Sequence, residues 1–440
     1  MAEDDIYGSK GKYEAFKAGL KSLVLPLEKK DSRTKYYCKN RKNLAYFERL
    51  ISRFEAKDMS FVRRMRLFKS FMIIIHNTEK VLSELERDDV DYIVACMHQS
   101  YKSPKSKSDF IKDIRYIWKI ILPELDKHGR PDEMLVPYVV RHLSPKVDRS
   151  KEKSRNDKLD FDEFQKILDF FSNDARMQAY LMLSVESIAR PQEILYRRIK
   201  DFESHDNYAI IHLSDHGKEG TGIMQCIDSY PFLINWIEKH PFKNNPESFI
   251  FINTGKKKLG SQLTPLNVNK KLNSACRILE ISKNITCYSL KRNGVTFRRL
   301  RGESDMEIQH AARWTSTKQL KTYDMSSQND ALRIQLIKRG LVTADKAEHK
   351  QYQLKNKECS LCKSINEFNA LHCNKCKRPL DRKLIEKEEQ DRTTKIAEMQ
   401  EKLQTLTEAL EVRKPYEELM ERLMKNPKMQ EIIKQELKST

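Results

Sequence analysis

Glycine and proline are scarce, 12 and 14 in 440 residues, together about half the roughly 12% usual in globular chains. So few chain breakers exclude a many-turned β architecture and predict long helices with short connections. Long apolar runs are also missing: the longest are short stretches such as Phe71 to Ile75. That is far below a membrane span, and no membrane partner is expected. Nine cysteines are too few for a disulfide framework in a chain this long. The opening MAEDDIYGSK is acidic and has no apolar h-region, so no secretory signal is visible and a cytoplasmic chain is expected. Three reaction classes lack their starting motif, since there is no GxxxxGK[ST], no HExxH and no GxSxG. Nucleotide hydrolysis, zincin proteolysis and α/β-hydrolase chemistry are therefore set aside.

What is abundant is positive charge. Lys and Arg number 83 against 63 Asp and Glu, a net charge of +20. Such an excess asks for an anionic partner, and phosphate backbones fit it better than an acidic membrane surface. The length predicts two or three domains. Residues 1–35 form an N-terminal arm in which Tyr13 to Leu27 reads as one amphipathic helix. Residues 36–143 are helical throughout; Phe110, Ile111, Ile114, Ile117, Trp118 and Ile121 recur on one helix face, with lysines on the rest. Residues 144–158, rich in charge and poor in apolar side chains, read as a linker. A second helical region, 159–342, is interrupted by a hairpin of YAIIHL (Tyr208 to Leu213) and IMQCI (Ile223 to Ile227), then by a strand SFIFIN ending at Asn253. The expected fold class is mainly α with a small β-sheet. In the tail, 381–440, Ile396, Met399, Leu403, Leu406 and Leu410 alternate by three and four before Pro415. That gives about two heptads of candidate coiled coil, short of the three or four that would establish one.

The second helical region carries a dispersed set of basic groups and one tyrosine: ARPQEI (Ala189 to Ile194), Lys218 in the hairpin turn, YSLKRNGVTFRRLRG (Tyr288 to Gly302) and EIQHAARWTSTKQLKTYDM (Glu307 to Met325). Here the sequence resembles the tyrosine recombinases, the phage-type integrases, and among them archaeal integrases with a C-terminal zinc ribbon. The family's last two boxes align from Tyr288 to Tyr323 without a gap, with Gly302, Ile308 and Gln309 at their places. The resemblance implies a core-binding (SAM-like) DNA-binding domain at 36–143 and a catalytic domain at 159–342. It implies a nucleophilic Tyr323, a phosphate clamp at Arg190, a general acid at Lys218 and a phosphate donor at Trp314. Tyr288 stands where the family has His and keeps a hydrogen-bonding group. Lys291 stands where the family has its second Arg, with Arg292 next to it on the helix but about 100° round. Arg313 stands where the family has Gly. The implied chemistry is strand cleavage and rejoining of double-stranded DNA through a 3′-phosphotyrosyl bond, by a tetramer, with no catalytic metal and no ATP.

The residues read independently are compatible with that chemistry. A phosphodiester cleaved without a metal needs fixed cations around its nonbridging oxygens. Glu193, three residues past Arg190, either orients that guanidinium or caps a packing contact. A lysine in a turn and a tryptophan in a core are ordinary on their own, and a lone Tyr among 17 means nothing without its spacing. Cys359-x-x-Cys362 and Cys373-x-x-Cys376, in residues 355–380, form the two-knuckle spacing of one structural zinc. His372 reads as a bystander. Two other functions stay open: a DNA-binding protein on the same scaffold that has lost cleavage, which Lys291 and Arg313 would record, and a type IB topoisomerase. The expected location is cytoplasmic and nucleoid-associated.

Overall fold

The computed structural model describes residues 7–20, 36–146, 156–214, 219–342 and 356–439. A first helical group comprises α1 (Ser9–Ala18), α2 (Ala45–Ala56), α3 (Phe61–His76), α4 (Arg87–Ser100), α5 (Pro104–Ile121) and the short α6 (Tyr138–Arg141). Pro104 opens α5, where a missing N–H is harmless. The α5 face predicted from periodicity is the buried one, against a core with Phe47, Phe54, Phe68 and Phe71.

Two expectations for this half need correcting. The arm's helix spans Ser9–Ala18, not Tyr13 to Leu27; it closes at Gly19, and residues 21–35 lie outside the described set. Tyr13 is fully buried and stacks on Phe68, ring centroids 5.5 Å apart, so α1 is bound to the bundle. The helical pattern is also broken by a hairpin, β1 (Glu124–Leu125) with β2 (Pro131–Asp132). Its turn is fixed by the Asp126 carboxylate, which accepts from the His128 and Arg130 N–H groups at 2.8 Å, and by Gly129 at φ 73°.

The second group comprises α7 (Phe161–Phe170), α8 (Ala175–Ser187), α9 (Pro191–Leu195), α10 (Tyr230–Glu238), α11 (Pro265–Ile278), α12 (Cys287–Leu300), α13 (Asp305–Ala311), α14 (Leu320–Tyr323) and α15 (Gln328–Lys338). Between α9 and α10 lies an antiparallel sheet of β3 (Phe202–Ser204), β4 (Ala209–Leu213) and β5 (Gly222–Cys226). The hairpin is the one its alternation predicts, in the register Ala209 opposite Cys226; β3 is an addition. Helix α8 is the axis, buried at every residue from Arg176 to Ser187. Helix α12 crosses it at Gly294, where a Cβ would lie 2.3 Å from the Val185 carbonyl oxygen. Only glycine permits that approach.

SFIFIN is not a strand. Ile250, Phe251 and Ile252 are buried, but their backbone pairs through isolated bridges, and the Ile250 carbonyl accepts from the Trp236 indole at 2.8 Å. The run fills the core and does not extend the sheet. Beyond it, β6 (Lys357–Glu358) pairs with β7 (Ile365–Asn366), followed by α16 (Arg382–Met424) and α17 (Pro427–Ser439). Helix α16 carries the two heptads and runs on through Pro415. In an exposed helix the missing N–H leaves one carbonyl to solvent, a smaller loss than in a core. No described helix is long and apolar enough to cross a membrane.

Candidate active site

Helix α8 ends at Ile188, which is forced into the left-handed region at φ 51°, and the chain turns sharply to present Arg190 as the N-cap of α9. A branched residue there is strained, and such strain is held only where packing over-determines it. Pro191 at N1 fixes the next turn. The Glu193 carboxylate accepts from the Arg190 N–H at 2.8 Å and from the Arg313 guanidinium at 2.9 Å. It therefore orients the turn, with its other oxygen 3.7 Å from the Arg190 guanidinium.

Helix α12 starts with a capping box, Thr286 with Ser289, which sets the rotation of everything after it. Tyr288 points to the rim and donates to the Gln192 side chain at 2.7 Å. Lys291, a turn later, is only 1% exposed. Its ammonium lies 5.3 Å from the Tyr323 ring centroid and 5.6 Å from that of Trp314. It has no hydrogen-bond partner among the described residues. Burial, with the Arg190 charge behind it, pushes its pKa down to about 8. Arg292 points elsewhere and pairs with Asp157. The Tyr323 ring lies 5.2 Å from the Trp314 ring, beside the small core of Ile188, Val295, Ile308, Ala312 and Leu320. The Trp314 indole N–H is buried without a partner among the described residues.

Arg190, Tyr288, Lys291, Trp314 and Tyr323 thus converge from the start of α9, from α12, from α14 and from the loop before α14. Arg292 does not join them. Lys218 lies outside the described residues. Two participants were not singled out for this pocket by sequence reasoning: Glu219, which pairs with Arg190, and Tyr7, whose hydroxyl is buried beside Glu193, Arg190, Tyr288 and Glu219. No local pattern marks them. Their partners are distant in sequence.

Residues 157–330 match the phage integrase family. The chain carries a phage integrase domain. No curated protein matches the sequence. Among solved structures, a XerH site-specific recombinase bound to palindromic difH substrate is 15% identical over 77% of this chain and 96% of its own, with a TM-score of 0.50. A lambda integrase dimer bound to a COC′ core site is 14% identical over 70% and 85%, also at 0.50. The Tn1549 transposon integrase in complex with a circular intermediate DNA is 11% identical over 67% and 99%, again at 0.50. These likenesses establish the fold.

Outside the integrase domain, Cys359, Cys362, Cys373 and Cys376 bring their sulfurs within 4.8 Å of one another. Four convergent thiols are a donor set for tetrahedral zinc, whose sulfurs would each sit at ~2.3 Å from the ion. The knuckles lean on the integrase domain. Glu367 accepts from Asn235 at 2.9 Å, Asn369 donates to Asp169 at 3.0 Å, and Phe368 packs on Phe232. His372 bonds Glu388 on α16 and is not among the four.

Proposed function

We propose that this chain is a site-specific DNA recombinase that cleaves and rejoins duplex DNA through a phosphotyrosyl bond on Tyr323. The observation that carries this is the placement of Arg190, Lys291 and Trp314 around one half-buried tyrosine. In the reaction the Tyr323 hydroxyl gives its proton to water as its oxygen attacks phosphorus, the bond to the 5′ oxygen breaks, and that oxygen takes up a proton, which Lys218 supplies by family resemblance. Arg190 and Lys291 offset the charge that develops on the nonbridging oxygens, and the Trp314 indole N–H donates to one of them. The reverse attack by another strand's 5′ hydroxyl completes exchange, so the bond energy is conserved and ATP is not required. Tyr288 holds the rim through Gln192.

Double-stranded DNA is the partner the charge suits, and Lys256, Lys257, Lys258 and Lys270 around the start of α11 extend the basic surface. A tetramer on DNA, with a nucleoid-associated location, is the assembly this reading implies. The core-binding and catalytic domains would close on the duplex from opposite sides, with 144–158 as their linker, and the four cysteines would hold a structural zinc. A second reading is favoured by two residues: Lys291 in place of an arginine fork, and Arg313 reaching into the pocket. They suit a DNA-binding protein that cleaves poorly or not at all.

The deciding experiment offers the protein duplexes from the region flanking its gene, nicked near candidate scissile phosphates, and looks for a covalent adduct. An adduct that disappears in Tyr323→Phe supports the recombinase. DNA binding without an adduct supports the second reading. Joining of strands between duplexes, against relaxation of one, separates a recombinase from a topoisomerase.

A further inference from the structure

The anion position beside Arg190 is filled by a side chain of the protein itself. The Glu219 carboxylate, on the return arm of the hairpin, bonds the Arg190 guanidinium, and both side chains are under 10% exposed. We propose that Glu219 stands in for the scissile phosphate and latches the site until DNA displaces it. This rests on the reading of Arg190 as the phosphate clamp.

Arg190 and Lys291 are buried, and the Arg313 side chain, 10% exposed, joins them in a cluster of cations. Leaving such a cluster without an anion is costly, because buried charge needs a partner. Glu193 compensates part of it and Glu219 the rest. Exchanging a carboxylate for a phosphodiester swaps one anion for another, so the latch opens at little electrostatic expense when DNA arrives. Glu219 is also only half satisfied: its second oxygen is buried with no partner among the described residues.

The hairpin is pinned and hinged at the same place. Arg313 donates to the Gly220 carbonyl at 3.4 Å and to Glu193 at 2.9 Å. Gly220 and Gly222 take φ of 75° and 158°, a backbone freedom other residues lack. A second closure comes from the other helical group. Tyr7 precedes α1, which Tyr13 anchors on α3, and the Tyr7 hydroxyl is buried beside Arg190 and Glu219 without a partner among the described residues. A duplex lying between the two helical groups would have to move Tyr7 as well as Glu219.

The test compares the full chain with Glu219→Gln, with Glu219→Asp, which keeps the charge but shortens the reach, and with Glu247→Gln. Glu247 is exposed and pairs with Lys200 and Arg198 away from the pocket, so its variant controls for net charge. Two quantities are measured: hydrogen exchange of the 220–226 amides in the free protein, and affinity for mixed-sequence duplex DNA. Both Glu219 variants should speed exchange. If the latch is open about a tenth of the time, both should also tighten DNA binding up to about tenfold, with Glu219→Gln exceeding the Glu247→Gln control. Exchange unchanged from wild type, or Glu219 variants that bind DNA no better than the control, would overturn the latch. Failure of every variant, wild type included, to bind DNA would instead sink the recombinase reading; the exchange comparison, made without DNA, would still decide the latch.

Discussion

Lys291 is the residue at which the site departs furthest from an arginine clamp, and its surroundings make its charge expensive. It is nearly inaccessible, faced by Arg190 and Arg313 as well as by Glu193 and Glu219, and its pKa falls from 10.5 to about 8. The unfolded chain therefore holds more protons than the folded one between about pH 8 and 10.5, and folding should become more favourable as pH rises through that window. A shift of this size corresponds to about 3 kcal/mol at most. Urea midpoints of Lys291→Met should exceed wild type at pH 7 and converge with it by pH 10.5; parallel curves would show that Lys291 titrates normally. Chemistry should respond in the opposite sense. Lys291→Ala should slow single-turnover cleavage roughly 100-fold or more, as for loss of one preorganised donor. Arg292→Ala, which removes the Asp157 pair, should leave the rate within a few-fold while loosening residues 156–159. Equal damage from both would contradict the separation seen on α12.

At the scale of elements, the close crossing of α8 and α12 fixes the distance between Arg190 and Lys291, since each residue is carried at or just beyond one of these helices. Gly294→Ala should force the helices apart, costing about 1–3 kcal/mol as overpacking does, and reduce cleavage more than DNA binding. A variant as active and stable as wild type would mean the crossing is softer than the 2.3 Å approach implies. The four-cysteine knuckles are a separate element with one docked face. Chelation, or Cys373→Ser, should release the Phe368 contact and the Asn235–Glu367 bond but leave the integrase core folded, because that core is closed without them. Near-ultraviolet circular dichroism with and without chelator would show it; collapse of the whole spectrum would refute it. These elements differ in how far the sequence announces them. The Tyr288 to Tyr323 spacing, the hairpin alternation and the doubled CxxC are local patterns, and each is legible. SFIFIN misleads because a buried apolar run looks alike in a strand and in a core loop. The Arg190–Glu219 and Arg292–Asp157 pairs join residues far apart in sequence, and no periodicity encodes a distant ion pair.

For the molecule as a whole, the +20 charge is distributed unevenly. From Arg382 to Thr440 there are 13 basic and 13 acidic residues, so this tail is neutral and the excess belongs entirely to the segments before it. Its long helix α16 is exposed along its length, with an apolar stripe at Ile396, Met399, Leu403, Leu406 and Leu410 and a charge balance that gives DNA no reason to hold it. If binding is driven by release of counterions from phosphates, each contact contributes roughly 0.9 to the slope of log affinity against log salt. A duplex held by about six phosphate contacts would then give a slope near −5. Truncation after residue 381 should leave that slope unchanged within error, even if it weakens binding uniformly by reducing assembly. A flatter slope in the truncated chain would place phosphate contacts on the tail. A slope near zero in the full chain would remove DNA as the partner altogether, because no other feature of the sequence uses so large an excess of cations.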